Sequence, residues 1–287
     1  MNGIKDAKIT FDKIEKIGQG SLVQHGKMND RLYLMKMSPG DKDSIVDLIE
    51  KLAVDNSYSK VFVKIPFSVR DSFIRRGFVQ EAVIPHYFLT GDDAWFMAKY
   101  YSEERKIPDF EDLKNFRKVL DSPLNSVTYN IDPDIRLREL VDADTDDVVG
   151  IYKKVFETYP FPIHDPDYIR EVMKSHVRFW GAYLDDKLIG LSSAEMDRQS
   201  GAAEMTDFAV LPESRGKRIA YHLLHLMEKG MLDENIKTVY TIARIKSAAM
   251  NKTFINSGYT FGGTLVNNTN ISGNIESMNV YFKKLLS

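Results

Sequence analysis

The chain has 287 residues, a formal net charge of −2 and no cysteine. The missing cysteine excludes disulfides, thiolate metal sites and a cysteine nucleophile, and the near-balance of charge offers no field for nucleic acid or an anionic membrane. Length favours two domains at roughly 150 residues each. With no apolar run near the roughly 20 residues of a membrane span and no apolar signal core at the start, the expected protein is soluble and cytoplasmic.

In chain order, residues 8–37 read as short strands with turns at 18–20 and 29–30. Residues 43–54 carry Ile45, Leu48, Ile49 and Leu52 at helical spacing. KVFVKI, 60–65, is a strand, and 68–76 a short helix ended by Gly77. Two strands, 78–89 and 94–101, flank a turn at 91–93, and 103–120 is a charged helix. The proline-bearing stretch 121–133 marks a domain boundary, which divides the chain into 1–130 and 131–287. Beyond it come a strand at 135–140, helices at 146–158 and 167–175, a hairpin of 178–184 with 187–196, a strand at 202–211 and a helix at 218–228. A strand at 239–245, a helix at 248–257 and strands at 259–266 and 276–283 finish the chain.

The most informative stretch is 204–230. Its apolar strand stops at Pro212, which has no N–H for a ladder. RGKRIA follows, Arg215 to Ala220, and then Ile219, Leu223, Leu226 and Met227 on one helical face. The first N–H groups of a helix lack internal partners and carry partial positive charge, so a diphosphate can sit there, with Arg215, Lys217 or Arg218 adding charge. The fingerprints GxGxxG and GxxxxGK[ST] are absent. The hexapeptide Arg215, Gly216, Lys217, Arg218, Ile219, Ala220 resembles motif A, [QR]-x-x-G-x-[GA], of the GNAT acetyltransferase superfamily, with Arg218 where the pattern has glycine. Backbone donation survives that departure if φ at Arg218 stays negative. The order βααβββαβαββ from residue 131 is also the GNAT order. The resemblance implies an α/β (α+β) GNAT fold, a mixed central sheet flanked by helices, with the diphosphate of acetyl-CoA on the 216–220 loop and Phe208, Ala209 and Val210 beside the cofactor.

An internal echo adds to this. FIRRGF, 73–78, matches FINSGY, 254–259, and each is preceded by a strand and followed by two. The N-terminal part therefore looks like a degenerate GNAT-like domain used for packing or for closing the substrate site.

Family members often carry N-x(6)-Y-x(3)-G-[FY] as a second acetyl-CoA element, whose tyrosine protonates the leaving thiolate. Here Ser247, Phe254, Gly258 and Tyr259 hold those places. Phe254 has no proton to give, and Asn251, one helical turn after Ser247, is expected to contact the pantetheine arm. A thiolate leaves readily, so a solvent proton suffices.

YPFPIHDP, TDFAVLPESRGKRIA and TIARIKSAAMNKTFINSGY further resemble segments of the β-lysine N-acetyltransferases of methanogens and some bacteria. That resemblance covers nearly the whole chain. It implies acetyl transfer from acetyl-CoA to the ε-amine of β-lysine, giving a zwitterionic compatible solute accumulated under salt stress.

That reaction needs a neutral amine, and a lysine-type amine has a reference pKa near 10.4, so a carboxylate must take a proton. Glu204 and Asp207 lie three apart on one strand, hence on opposite faces, and only one can face the reaction centre. Asp207 is favoured as base, with Glu204 and Glu195 in reserve; each reads equally as a salt-bridged strand acid. The oxyanion needs N–H donors, and Phe208 or Val210 supplies them. Arg244 is the expected partner of the acceptor carboxylate, or else part of a structural ion pair. In YPFPIHDP, prolines 160, 162 and 166 stiffen the acceptor loop, where Tyr159, Phe161, His164 and Asp165 would meet the substrate, Asp165 pairing with the β-ammonium. No metal site is expected, because the histidines share no ligand spacing with acids. A homodimer stays open. Two other classes also stay open: a GNAT enzyme with another amine acceptor, and a non-catalytic acetyl-CoA or amino-acid sensor.

Overall fold

The computed structural model describes residues 11–123, 129–157, 159, 161–271 and 273–285. Residues 8–10 of the first expected strand, positions 124–128 of the expected boundary, Thr158 and Pro160 lie outside the described residues.

The N-terminal half runs β1 (Lys13–Ile17), β2 (Ser21–Gly26), β3 (Arg31–Lys36), α1 (Ile45–Asp55), β4 (Lys60–Pro66), α2 (Arg70–Ile74), β5 (Val79–Ile84) and β6 (Ala94–Tyr100). The expected helix at 103–120 is two, α3 (Glu103–Lys106) and α4 (Phe110–Leu120), because Pro108 cannot donate within a continuous helix. The C-terminal half runs β7 (Ile135–Leu140), α5 (Thr145–Val155), α6 (Pro166–Ser175), β8 (Val177–Leu184), β9 (Lys187–Asp197), β10 (Ala202–Val210), α7 (Ile219–Asp233), β11 (Thr238–Arg244), α8 (Ala248–Asn256), β12 (Thr260–Ile271) and β13 (Asn274–Lys284).

All the strands form one sheet, ordered β1-β2-β3-β4-β6-β5-β12-β13-β11-β10-β9-β8-β7. Read outward from the β5–β12 seam, the two sides repeat. β6 and β13 are inserted next to the seam, β4 and β11 follow, and each pairs in parallel with the strand before its crossover helix, β3 through α1 and β10 through α7. The echo FIRRGF/FINSGY has one geometry in both places. Phe78 N–H donates to Phe73 O at 3.1 Å and Tyr259 N–H to Phe254 O at 3.0 Å, and the glycines between take φ of +81° and +80°. The two aromatic pairs meet edge to face at 5.2 and 5.3 Å. Here glycine is needed because an L side chain is disfavoured at such φ.

Alternation decides which helices cover which face of the C-terminal half. On β8, Trp180 and Ala182 join a core with Leu223, Leu224 and Met227 of α7, and Phe116 of α4 completes it. Phe179 and Tyr183, on the opposite face, pack with Val148, Ile151 and Tyr152 of α5 and Ile169 of α6. No helix among the described residues is long and apolar enough to cross a membrane.

Candidate active site

β10 is the strand on which the site is built. Only Ala202–Glu204 pair with β11, at Thr238–Tyr240, and beyond Glu204 the two strands part. On its other edge β10 stays with β9, but the register shifts between Thr206 and Ala209. Within that bulge Asp207 takes φ of +54°, a conformation that a side chain with a Cβ adopts at some cost and that recurs at functional sites. The bulge corrects one expectation. Glu204 and Asp207 do not face opposite sides; both line one cavity, because the left-handed residue turns its side chain over.

That cavity, about 510 Å³, opens on the face where α6 ends and reaches across to the N-terminal strands. Its acids are Glu195, Asp197, Glu204 and Asp207, of which Asp197 accepts from Ser200 Oγ at 2.6 Å and pairs with Lys36 at 3.4 Å. Glu195 is the direct cross-strand neighbour of Glu204, so the two share a face and repel when both are ionised. Burial first and then the neighbouring carboxylates push Glu195 up to about 8. Burial also pushes Glu204 up to about 7, against the opposing pull of Lys64 and a hydrogen bond from Tyr240. Burial raises Asp207 too, but three hydroxyls act against it. Ser193 Oγ donates to Asp207 Oδ2 at 2.6 Å, Tyr159 OH donates to Oδ1, and Thr206 Oγ1 lies 3.4 Å from Oδ1. The Tyr159 phenol is held well above its usual range by burial and by Asp207, so it stays a donor.

At the far end of β10, Leu211 N–H donates to Ile189 O at 3.0 Å. One residue back, the N–H of Val210 therefore points to the edge that β11 has left. Phe208 is half-buried there, its ring edge to face with Phe254 at 5.7 Å, and Ala209 is fully buried. A single 3₁₀ turn, Pro212–Ser214, leads to the loop Arg215, Gly216, Lys217, Arg218 and the first α7 residues, Ile219 and Ala220. Gly216 has φ of +85° and open space where a Cβ would stand. Arg218 is the N-cap of α7 at φ of +58°, not the negative φ expected of it. The position keeps the left-handed backbone that glycine would take; the guanidinium stacks 3.6 Å from the centre of the Tyr129 ring. Lys217 pairs with Asp132 at 3.2 Å on the surface. The parting of β10 from β11, the exposed α7 start and this basic loop fit an elongated thioester carrying a diphosphate.

Residues 145–253 match the family profile described as the Acetyltransferase (GNAT) family. The β-lysine N(6)-acetyltransferase of Methanococcus maripaludis is 38% identical over 277 residues, covering 95% of this chain and 99% of that protein. The chain belongs to the GNAT acetyltransferase family. N-acetyltransferase YodP of Bacillus subtilis is 30% identical over 95% of this chain and 98% of its own. The β-lysine N(6)-acetyltransferase of Methanosarcina mazei is 30% identical over 86% of this chain and 98% of its own. As a GNAT enzyme the chain is an N-acetyltransferase with acetyl-CoA as co-substrate.

Several expected GNAT site residues stand elsewhere. Arg244 is locked in a two-pronged pair with buried Glu276, at 2.9 and 2.7 Å, and does not line the cavity. Asn251 is fully buried and spent on structure. Its Nδ2 donates to Arg244 O and Ser247 O, and its Oδ1 accepts from Asn279 Nδ2 and Tyr281 OH, each at 2.8–2.9 Å. The amide so pins the start of α8 to β11 and β13 and has nothing left for a pantetheine arm. Ser247, the α8 N-cap residue, makes no side-chain cap and lies off the cavity. Asp165 caps α6, accepting from Asp167 N–H at 2.9 Å, and neither it nor His164 reaches the cavity, whereas Tyr159 and Phe161 do. Unforeseen are Lys64, Arg31 and Gln24, which line it from the N-terminal half. The available signal was a charged residue inside apolar strands, as in KVFVKI and RLYLMK.

Phe254 is 1% exposed and ringed by Phe208, Tyr259 and Tyr281. A hydroxyl added there enters an aromatic core. Phe254→Tyr is expected to lose about 1–3 kcal/mol of stability in urea denaturation with the pH–rate profile unchanged; a new fall in rate at alkaline pH, as a required acid would give, would return the position to the leaving thiolate.

Proposed function

We propose that the chain transfers acetyl from acetyl-CoA to the terminal amine of β-lysine, giving Nε-acetyl-β-lysine. The observation that carries the chemistry is the acid-lined cavity beside the parted strands: Asp207 stands at the bulge, with Glu195 and Glu204 next to it. Two relatives that match nearly end to end carry the β-lysine N(6)-acetyltransferase name, which supports the acceptor.

In this reading Asp207 takes a proton from the ε-ammonium. Ser193 and Tyr159 fix its carboxylate so that its free lone pair meets the substrate. The neutral amine attacks the thioester carbon. The tetrahedral adduct then breaks its C–S bond, the nitrogen loses its extra proton, and CoA leaves as a thiolate that a solvent proton neutralises. The N–H of Val210, on the open edge, stabilises the charge that develops on oxygen. The N–H groups of Gly216 to Ala220 take the diphosphate, with Arg215, Lys217 and Arg218 around them, and Phe208 and Ala209 flank the acyl end. Glu204 and Glu195 offer charge to the β-ammonium. Tyr159 and Phe161 cover the aliphatic stem.

The chain then divides into a degenerate GNAT-like domain, 1–130, and a catalytic domain, 131–287, a division supported by the repeated strand order. Acetylation leaves the product one ammonium and one carboxylate, a zwitterion without net charge. Such chemistry suits a compatible solute accumulated in the cytoplasm under salt stress.

The test is thiol release from acetyl-CoA over a panel of diamino acids and polyamines, with product mass and the site of acetylation read by mass spectrometry. β-Lysine is expected to give the highest kcat/KM and a single acetyl on the terminal nitrogen. Faster turnover of a polyamine or of α-lysine would move the acceptor, and no release with any amine would favour a sensor.

A further inference from the structure

The cavity has a second wall, and its chemistry is opposite to the first. β9 and β10 supply carboxylates; β3 and β4, from the N-terminal half, supply cations. Lys64 sits at the middle of the span. Its Nζ donates to Tyr87 OH and Tyr240 OH, each at 3.1 Å, which uses two of an ammonium's three donors. Arg31 is 5% exposed, with Nη1 donating to Asn268 O at 2.6 Å and to Thr269 Oγ1 at 3.1 Å. Its Nε is buried without a partner, and so is the Nε2 of Gln24, a residue only 2% exposed. Buried donors are nearly always satisfied in folded proteins, and these two stand in one cavity wall. What they lack is an acceptor. Beside them Asn268 Oδ1 is a buried acceptor without a donor.

We infer that this wall is the subsite for the acceptor's carboxylate, held by Lys64, Arg31 and Gln24, with Asn268 Oδ1 accepting from the ammonium next to that carboxylate. The inference rests on the acyl-transfer reading and adds the end of the substrate away from the reaction. Along β10, Glu204 and Asp207 are separated by roughly 10 Å of strand, and Lys64 acts electrostatically on Glu204. Asp207 and the cationic wall therefore mark two ends of one cavity, with Glu204 and Glu195 between them within the field of Lys64. An extended six-carbon diamino acid has the matching pattern: a reacting amine at one end and a carboxylate at the other, with the β-ammonium two carbons from the carboxyl carbon. Burial pulls Arg31 down to about 10, with Tyr33, Asp12 and Glu81 acting in the opposite direction, and none of these three is among its hydrogen-bond partners.

The experiment compares β-lysine, its carboxamide and 1,5-diaminopentane as acceptors, on wild type, Lys64→Met and Gln24→Leu, with acetyl-CoA affinity measured separately. Wild type is expected to prefer β-lysine over both carboxylate-free amines by about a hundredfold or more in kcat/KM, because buried donors left unpaired penalise the analogue. Lys64→Met should cut that preference at least about tenfold, chiefly through KM for β-lysine, with acetyl-CoA affinity kept. Equal use of β-lysine and its carboxamide by wild type overturns the subsite, and needs no variant to fold. Variants that lose activity on all acceptors in proportion overturn it as well, since a purely structural role would act that way. Failure of the underlying reading looks different: wild type then releases CoA with none of these amines.

Discussion

Asp207→Asn lowers kcat for acetyl transfer by about two to three orders of magnitude while acetyl-CoA affinity stays within about twofold. The asymmetry follows from where the residue sits. Its carboxylate is held in the cavity by Ser193 and Tyr159, whereas the cofactor loop begins after Pro212, past the end of β10. An amide has the shape of the carboxylate but no proton affinity, so it deletes a step of the reaction and not a contact of the ground state. One donor conflict is added, because the amide NH₂ meets either the Ser193 or the Tyr159 hydroxyl; the Tyr159→Phe variant measures that part alone. The pH profile separates the acids further. A base must be unprotonated, so wild-type kcat/KM should rise with pH. Glu204, pushed up to about 7, and Glu195, pushed up to about 8, must also ionise to hold the β-ammonium, so the rise in kcat/KM should extend through that range while kcat follows Asp207. Single-turnover rates from pH 6 to 9, with thermal shifts in acetyl-CoA as the binding check, decide it. An unchanged kcat in Asp207→Asn would transfer the role to Glu204 or Glu195.

The order of elements was legible because it rests on local signals: period-two and helical apolar patterns, Pro212, and the glycine-ended helix turns. The RGKRIA loop was legible for the same reason, and even the departure at Arg218 left its left-handed backbone intact. What was not legible depends on contacts distant in sequence. Alternation alone put Glu204 and Asp207 on opposite faces, and a bulge, unmarked by glycine at that position, reversed the result. Arg244 had a plausible chemical role, but its anion is Glu276, thirty-two residues on. Asn251 lies on the foreseen face of its helix, yet the strands that close over it are not local to it. The cationic wall was the least legible part. Nothing in RLYLMK or KVFVKI tells that these strands fold back beside β10 and β11 and share a cavity with them.

Gly263→Val should be the most destabilising single change at the seam between the halves, costing about 3 kcal/mol or more. Gly263 pairs with Ala82 where β12 meets β5. Its φ is +141°, and a Cβ there would overlap the Glu81 carbonyl oxygen and stand 2.7 Å from Ala82 Cα. Both atoms belong to backbone, so relief requires the strands to separate. Around them runs a polar seam with little slack. Lys60 is fully buried and donates to both Glu81 carboxylate oxygens at 3.0–3.1 Å and to Val266 O at 2.7 Å, and Val266 N–H returns to Glu81 at 2.8 Å. A strand shift that breaks this set leaves a buried charge uncompensated, and losing one partner of such a pair costs more than the pair contributes. At this size roughly 2–4 °C of Tm accompany each kcal/mol, so a fall of about 10 °C is expected in a circular dichroism melt. Function should divide along the same line. The cofactor loop and α7 lie within the C-terminal half, so acetyl-CoA should still raise Tm. The cavity takes its cationic wall from β3 and β4, so KM for the acceptor should rise several-fold in protein that remains folded. A variant with wild-type Tm would mean that β5 and β12 are not locked through this residue. A lowered Tm with acceptor KM unchanged would mean that the N-terminal strands stabilise the fold without shaping the acceptor site.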